Sequence, residues 1–368
     1  AGVYVLRSTN TKIINNTIGP NNVRGIYYSG NSHNGIISNN TILGSLENGI
    51  DLYNADNMII SNNFVNDTNG NGIYLNGEPN NCTVYDNHIL LSNNYALLIT
   101  GTNHLIYSNI LNQTSGVGIR FYWDARNNII RDTLIVDNTG YDIYNTEDCY
   151  NNILVNVSFN KSNVFFSADC NSTQPCNFTV KNYLDVYVND SNGLAVEGVD
   201  ISGVDNSNFE IFSLSTDSAG NIVQQELVEY TQNWTQVYGV NVSTKSNYTI
   251  NATYYLHKES VMINMSTSHS LNFEFGDYLT SLVVENGTDS PTINNEIMFY
   301  ANYSSDEFNV SGVGFIRSEI GPIVWNISGS INSYMNLIKA IDLDRDGIQD
   351  EIIYNYWDAI YAVDRSEE

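Results

Sequence analysis

The segment IKAIDLDRDGIQDEIIYNYWDAIYAVD holds four aspartates in a tight run, Asp342, Asp344, Asp346 and Asp350. Alternate residues of a short loop converge on one point, Gly347 permits the turn, and the carbonyl of Ile348 supplies a further oxygen. Hard oxygen ligands in that number predict Ca²⁺ as the bound cofactor. Loop position 12 is Ile353 where a helix–loop–helix calcium site needs a bidentate glutamate, and strand-like runs flank the loop. A second cluster is RFYWDARNN, with Arg120, Tyr122, Trp123, Asp124 and Arg126. Aromatic faces beside polar side chains suit sugar stacking or a subunit contact. His33, His88, His104, His257 and His269 share no common offset, so a copper or zinc cluster is not expected. Nucleophile elbow, phosphate loop and dinucleotide fingerprint are all missing, so no catalytic residue is assigned and the chain is expected not to be an enzyme.

The 368 residues that must position these groups are acidic, with 40 Asp and Glu against 14 Lys and Arg, a formal charge of −26. That balance disfavours nucleic acid and anionic membrane surfaces as partners. No run of about 18 apolar residues is present to span a membrane. Asparagine, at 58 residues, supplies much of the polarity, and helix-forming Lys, Arg and Glu are scarce. The expectation is an all-β chain. It opens on one strand-like run and stops after another, as a piece cut from a longer polypeptide would.

A repeat organises the first half. GVYV starts at Gly2, GIYY at Gly25, GIDL at Gly49, GIYL at Gly72, ALLI at Ala96, GIRF at Gly118, GYDI at Gly140 and NVFF at Asn163. The steps are 23, 24, 23, 24, 22, 22 and 23 residues, and each unit holds a second β-run such as KIINN or GIISNN. One such coil cannot bury its apolar face alone, whereas stacked coils about 4.8 Å apart share a continuous core. The spacing predicts two inward stacks. One runs Val3, Ile26, Ile50, Ile73, Leu97, Ile119, Tyr141, Val164, and the next Val5, Tyr28, Leu52, Leu75, Ile99, Phe121, Ile143, Phe166. The outward row is read as Tyr4, Tyr27, Asp51, Tyr74, Leu98, Arg120, Asp142 and Phe165. An inward Asn column is read as Asn16, Asn39, Asn62, Asn87, Ser108, Asp132 and Asn156. Asn tolerates left-handed geometry, and its amide can bond its counterpart one coil above.

This pattern resembles the right-handed parallel β-helix repeats of the NosD-like and pectate-lyase-like superfamily, over residues 1–182. The resemblance implies a right-handed solenoid of about eight coils. It implies little about activity, since relatives include polysaccharide lyases and hydrolases, tailspikes and adhesins. Enzymes of that kind use clustered acids with Arg or Lys on the outer face of one sheet. Here Asp51 and Asp142 would stand four coils, about 19 Å, apart, too far to share one bond.

Residues 183–276 carry DSNG, VEGV and TDSAGN before a final hydrophobic strand. They resemble a carboxypeptidase-regulatory-like, Ig-like β-sandwich module, which implies a spacer without catalytic residues. Residues 277–320, with PTINNEIMFYANYS, resemble the opening strands of bacterial-type Ig repeats. Residues 321–368 resemble one blade of an FG-GAP-like calcium-loop propeller.

There are 19 Asn-x-Ser/Thr sequons from Asn15 to Asn326, above what composition predicts. They point to an extracellular, glycosylated protein. Asn15, Asn66, Asn112, Asn233 and Asn286 are read as glycan acceptors, with Asn39 and Asn156 kept bare by inward placement. Cys170 and Cys176 flank a short loop and are the first choice of disulfide, with Cys149 a competing partner for either. Cys82 lies three coils, about 14 Å, from Cys149 and is expected to stay a free thiol. The leading functional expectation is a structural or adhesive cell-surface protein. It would assemble with itself or with other envelope proteins, and its build resembles archaeal cell-envelope proteins. The alternatives are a carbohydrate-binding module, with Arg120, Tyr122, Trp123 and Asp124 as sugar or partner contacts, and a glycan-cleaving β-helix enzyme.

Overall fold

Short runs of alternating apolar residues, broken every few positions by Asn or Gly, cannot extend into long strands, so the chain turns a corner after each run. In the computed structural model this gives a parallel β-helix. The structure describes residues 1–275 apart from 21, 147, 172–174, 236–238 and 255–256, and beyond 275 the backbone of seven strands. The first sheet has eight parallel strands, from Val3–Leu6 to Val164–Phe166, delimiting seven turns. A second sheet starts at Lys12–Ile14 and a third, of six strands, at Thr17–Ile18.

Inward residues from the three sheets, among them Ile37, Ile42, Ile50 and Leu52, are fully buried in one core. Each such aliphatic side chain contributes roughly 1.5–3 kcal/mol by leaving water. The corners are left-handed in register. Asn10, Asn34, Asn57, Asn81, Asn103, Asn127 and Asn151 all hold φ between 55° and 62° before the second sheet. Asn is the side-chain-bearing residue that adopts this region most readily, which accounts for much of the asparagine content. Gly25, Gly49 and Gly72 occupy a packed column: a Cβ on Gly49 would meet Val65 Cγ1 at 2.3 Å and the Gly72 carbonyl at 2.7 Å.

The Asn column is shifted by one residue from the sequence reading at most of its rungs. The ladder is Asn16, Asn40, Asn63, Asn87 and Asn109, buried from Asn40 onward and capped by Thr133. The backbone N–H of each rung donates to the side-chain oxygen of the next, at 3.0 Å through the four asparagine steps and 3.4 Å to Thr133 Oγ1. Asn39, Asn62, Ser108, Asp132 and Asn156 belong instead to a left-handed column one residue earlier. Asn39 is exposed and Asn156 half-buried, so neither faces the interior. Two adjacent asparagines recur at this corner, and composition does not tell which one points in.

The inward stack is also corrected at the seventh strand. Ile143 pairs with Ile119, Tyr144 with Arg120 and Asn145 with Phe121. Gly140, read as the partner of Gly118, stacks on Gly116, its N–H donating to that carbonyl at 2.9 Å. Tyr141 and Asp142 therefore leave the rows assigned to them, and Tyr144 takes the outward place.

A disulfide joins Cys170 to Cys176, with Cα atoms 5.6 Å apart, and Cys82 is a buried free thiol. The strand Cys176–Asp190 then runs across the expected boundary at 182. Its first half is the last rung of the second sheet, paired with Cys149–Val155. Its second half pairs with His269–Phe275 and helps to close a separate core. In that core Val186 and Phe273 meet Ile201 and Ile250 of a four-stranded antiparallel sheet. The junction is tied by polar contacts: Glu229 receives the Lys161 ammonium at 2.8 and 2.6 Å and the Asn182 amide at 3.1 Å. Arg131 pairs with Glu226. Beyond 275, strands from Ser281–Glu285 to Val324–Ser328 form a four-stranded antiparallel sheet, and Lys339–Ile341, Glu351–Tyr356 and Ala359–Val363 a three-stranded one.

Candidate functional site

Strand pairing aligns Tyr4, Tyr27, Asp51, Tyr74, Leu98, Arg120, Tyr144 and Phe165 along the outward face of the first sheet. Every second residue of each strand must point outward, so this row is fixed once the inward stack is set. Adjacent rungs put like or complementary side chains in contact. Tyr4 and Tyr27 stack with centroids 5.2 Å apart, and Tyr141 and Phe165 do so at 4.9 Å.

The densest part of the row surrounds Arg120. Its guanidinium carbon lies 4.3 Å from the ring centre of Tyr122, 4.9 Å from Tyr144 and 5.0 Å from Tyr95. One terminal nitrogen donates to the Tyr95 hydroxyl at 2.5 Å, while its Nε is buried without a hydrogen-bond partner. Three aromatic faces hold the cation in place, and rings of this kind attract it through their quadrupoles. Trp123 meets Tyr122 edge-on and is 59% exposed. Trp123 and Asp124 both carry positive φ, 34° and 62°, a strained setting for a bulky aromatic that the surrounding fold must impose.

Below Arg120 stands Tyr74, whose phenol is pushed up to about 12, chiefly by burial and then by the Asp51 and Tyr122 charges. Asp51 is 1% exposed despite its outward position. It accepts from the Asn48 amide at 2.9 Å and the Asn76 amide at 3.3 Å, and pairs with Arg24 at 3.0 Å. Burial holds its carboxyl above the usual carboxylate range, against the pull of Asn48 and Arg24.

Of the residues singled out in sequence, Arg120, Tyr122 and Trp123 come together. Asp124 turns away into an ion cluster with Arg126 and Asp148. Burial keeps the Asp124 carboxyl above its ordinary range, with Arg126 opposing and Asp148 adding to the rise. Asp142 lies beside a depression of about 330 Å³ near Asn138 and Asn160. Both its oxygens are engaged, by the Asn138 amide at 3.3 Å and the Asn160 N–H at 2.7 Å, so it is a structural carboxylate. Sequence reasoning missed Tyr95 and Tyr144. The alternation in Ile143–Tyr144–Asn145 could have flagged Tyr144, had Gly140 not drawn the register two residues away.

His104 is fully built in. Its Nδ1 accepts the Cys82 N–H at 3.0 Å and its Nε2 donates to the Thr100 carbonyl at 2.9 Å. Burial lowers its pKa to about 4, which leaves a neutral ring. Among the described residues no three metal-binding side chains cluster. The calcium loop, Asp342, Asp344, Asp346, Ile348 and Asp350, and the sequon Asn286 lie outside the described residues. Among the described residues, no helix is long and apolar enough to cross a membrane.

Residues 1–111 match the family model described as "Right handed beta helix region". No curated protein matches the chain. Among solved structures it is similar to the periplasmic alginate epimerase AlgG, with 19% identity, a TM-score of 0.38, and 45% of this chain against 46% of that one. It is similar to the enzymatically active domain of tailspike protein 2 of bacteriophage CBA120, with 11% identity, a TM-score of 0.30, and 71% against 62%. It is also similar to BcpA, the major pilin subunit of Bacillus cereus, with 11% identity, a TM-score of 0.21, and 50% against 53%. The chain thus spans about half the length of the epimerase. Likeness at this level concerns architecture alone. It nonetheless corrects the expectation that the chain is not an enzyme. Neighbours of the same architecture include an epimerase and an enzymatically active tailspike domain, so a repeat-rich β-helix is no ground for excluding catalysis.

Proposed function

We propose that the outward face of the first sheet binds carbohydrate and that the protein is an extracellular glycan-handling β-helix. The observation that carries this reading is the Arg120 guanidinium held among Tyr95, Tyr122 and Tyr144, with Trp123 exposed beside it. Aromatic faces cover the apolar C–H face of a sugar, and a fixed guanidinium donates to its oxygens through its terminal nitrogens. The abundance of sequons and the Cys170–Cys176 disulfide support an oxidising, extracellular setting. A glycan-processing step on the same face is a second reading. It is favoured by Asp51 and Tyr74, paired one rung apart and both titrating above their ordinary ranges. Calcium at Asp342–Asp350 would stiffen the C-terminal segment independently of this face.

A glycan array with the full chain, followed by reducing-end and unsaturated-product assays on each glycan bound, tests both readings. Binding that falls at least tenfold in Arg120→Ala is expected. An array without a single bound glycan would sink the proposal, and binding without turnover would remove the second reading alone.

A further inference from the structure

The fold sorts the sequons by what their asparagine amides touch. Nine lie within residues 1–182, and not one of these falls in a first-sheet strand. Asn15 and Asn39 occupy the left-handed corner just after the second sheet, with φ of 60° and 54°, and both are exposed. Asn81 occupies the left-handed corner just before that sheet, with φ of 56°, and is exposed as well. Among the described residues none of these three side chains makes a hydrogen bond. The amides of two other sequons, Asn156 and Asn189, are committed. Asn156 Nδ2 donates to Asp132 at 2.7 Å while its Oδ1 accepts from Ser268 at 2.9 Å, at the junction with the second core. Asn189 is buried, and its Nδ2 donates to the Asp190 carbonyl at 2.6 Å.

We propose that Asn15, Asn39 and Asn81 carry N-linked glycans that flank the second sheet, and that the first-sheet face stays bare. In the transfer, Nδ2 loses a proton and bonds to the anomeric carbon of a lipid-linked oligosaccharide, presented by a membrane oligosaccharyltransferase. The glycosyl–phosphate bond of that donor breaks, and the lipid phosphate leaves with the electron pair. At these three left-handed corners the side chain points into solvent and leaves room for a bulky substituent, whereas Asn156, in the same left-handed column as Asn39, could accept one only by giving up the Asp132 and Ser268 contacts. This assignment does not depend on what the first-sheet face binds.

Glycopeptide mapping of the protein purified from its own host tests the assignment. Glycan is expected on Asn15, Asn39 and Asn81, with Asn156 and Asn189 unmodified. Three bare corner asparagines, or glycan on Asn156 or Asn189, would overturn it. Thr17→Ala and Thr41→Ala destroy two sequons without touching the left-handed asparagines. Each is expected to remove one glycan mass from the intact protein at unchanged melting temperature, and an unchanged mass in both variants would equally count against the proposal.

Discussion

The first-sheet face and the corner between the second and third sheets are built from the same coils, yet they treat sequence in opposite ways. At the corner one residue type recurs from Asn16 to Asn109, each amide bonded to the next. On the face the row changes at nearly every rung: tyrosine, aspartate, tyrosine, leucine, arginine, tyrosine, phenylalanine. A column that holds coils together works best when every rung is alike, because each amide then finds its counterpart at the coil spacing. A row that faces solvent has no such constraint, and its variety leaves room for the carbohydrate contacts proposed for it.

The comparison breaks most visibly at the ladder. Asn63→Ala removes a buried side chain whose Nδ2 donates to the Ile37 and Ser61 carbonyls and to Asn87, and whose Oδ1 accepts from Asn40. Leaving those groups unsatisfied should cost about 3–4 kcal/mol, read as a lower midpoint in denaturant titration, with glycan binding by the remaining folded protein unchanged.

His104 comes next. It stands in another column, at the corner before the second sheet, where His104 N donates to Asn128 Oδ1 and Asn128 N to Asn152 Oδ1. Its folded pKa is about 4 against an ordinary 6.5. Between those values the unfolded chain binds a proton that the folded chain does not. Stability should therefore fall as pH drops through this window, by about 3 kcal/mol in all, and level off below about pH 4. His104→Asn keeps an acceptor for the Cys82 N–H, as Asn128 does for His104, and should flatten that part of the pH profile. An unchanged acid slope would show that another group carries it.

The face should respond least in stability. Arg120→Ala loses three cation–π contacts at a half-exposed site, about 1 kcal/mol in total. That corresponds to a shift of about 2–4 °C in melting temperature, while its effect on glycan binding is large. If melting drops as far as in Asn63→Ala, Arg120 is a structural residue and the contrast between the two regions fails.

The period, the β-helix and most inward positions were legible because burial punishes any register in which apolar residues face water. Ile26, Ile50 and Ile73 leave no choice. The ladder was misread by one residue because both members of the Asn39–Asn40 pair suit a corner, one by adopting positive φ and the other by bonding inward. The seventh strand was misread because Gly140 imitates Gly118, and only the pairing of Ile143 with Ile119 separates them. That slip placed Asp142 where Tyr144 stands, and so concealed the aromatic surroundings of Arg120. Tyr95 escaped notice because it lies three residues before Leu98, outside the row itself, and reaches Arg120 from the side with both its ring and its hydroxyl.

The most direct test of the first-sheet face as the binding surface is hydrogen–deuterium exchange with and without a saturating glycan taken from the array. The account predicts slowed exchange in Tyr95–Ile99 and Val117–Phe121 and on through residue 124, with the ladder corner around Asn40 and Asn63 unchanged. Protection confined to the ladder corner, or to residues 184–275, would contradict it.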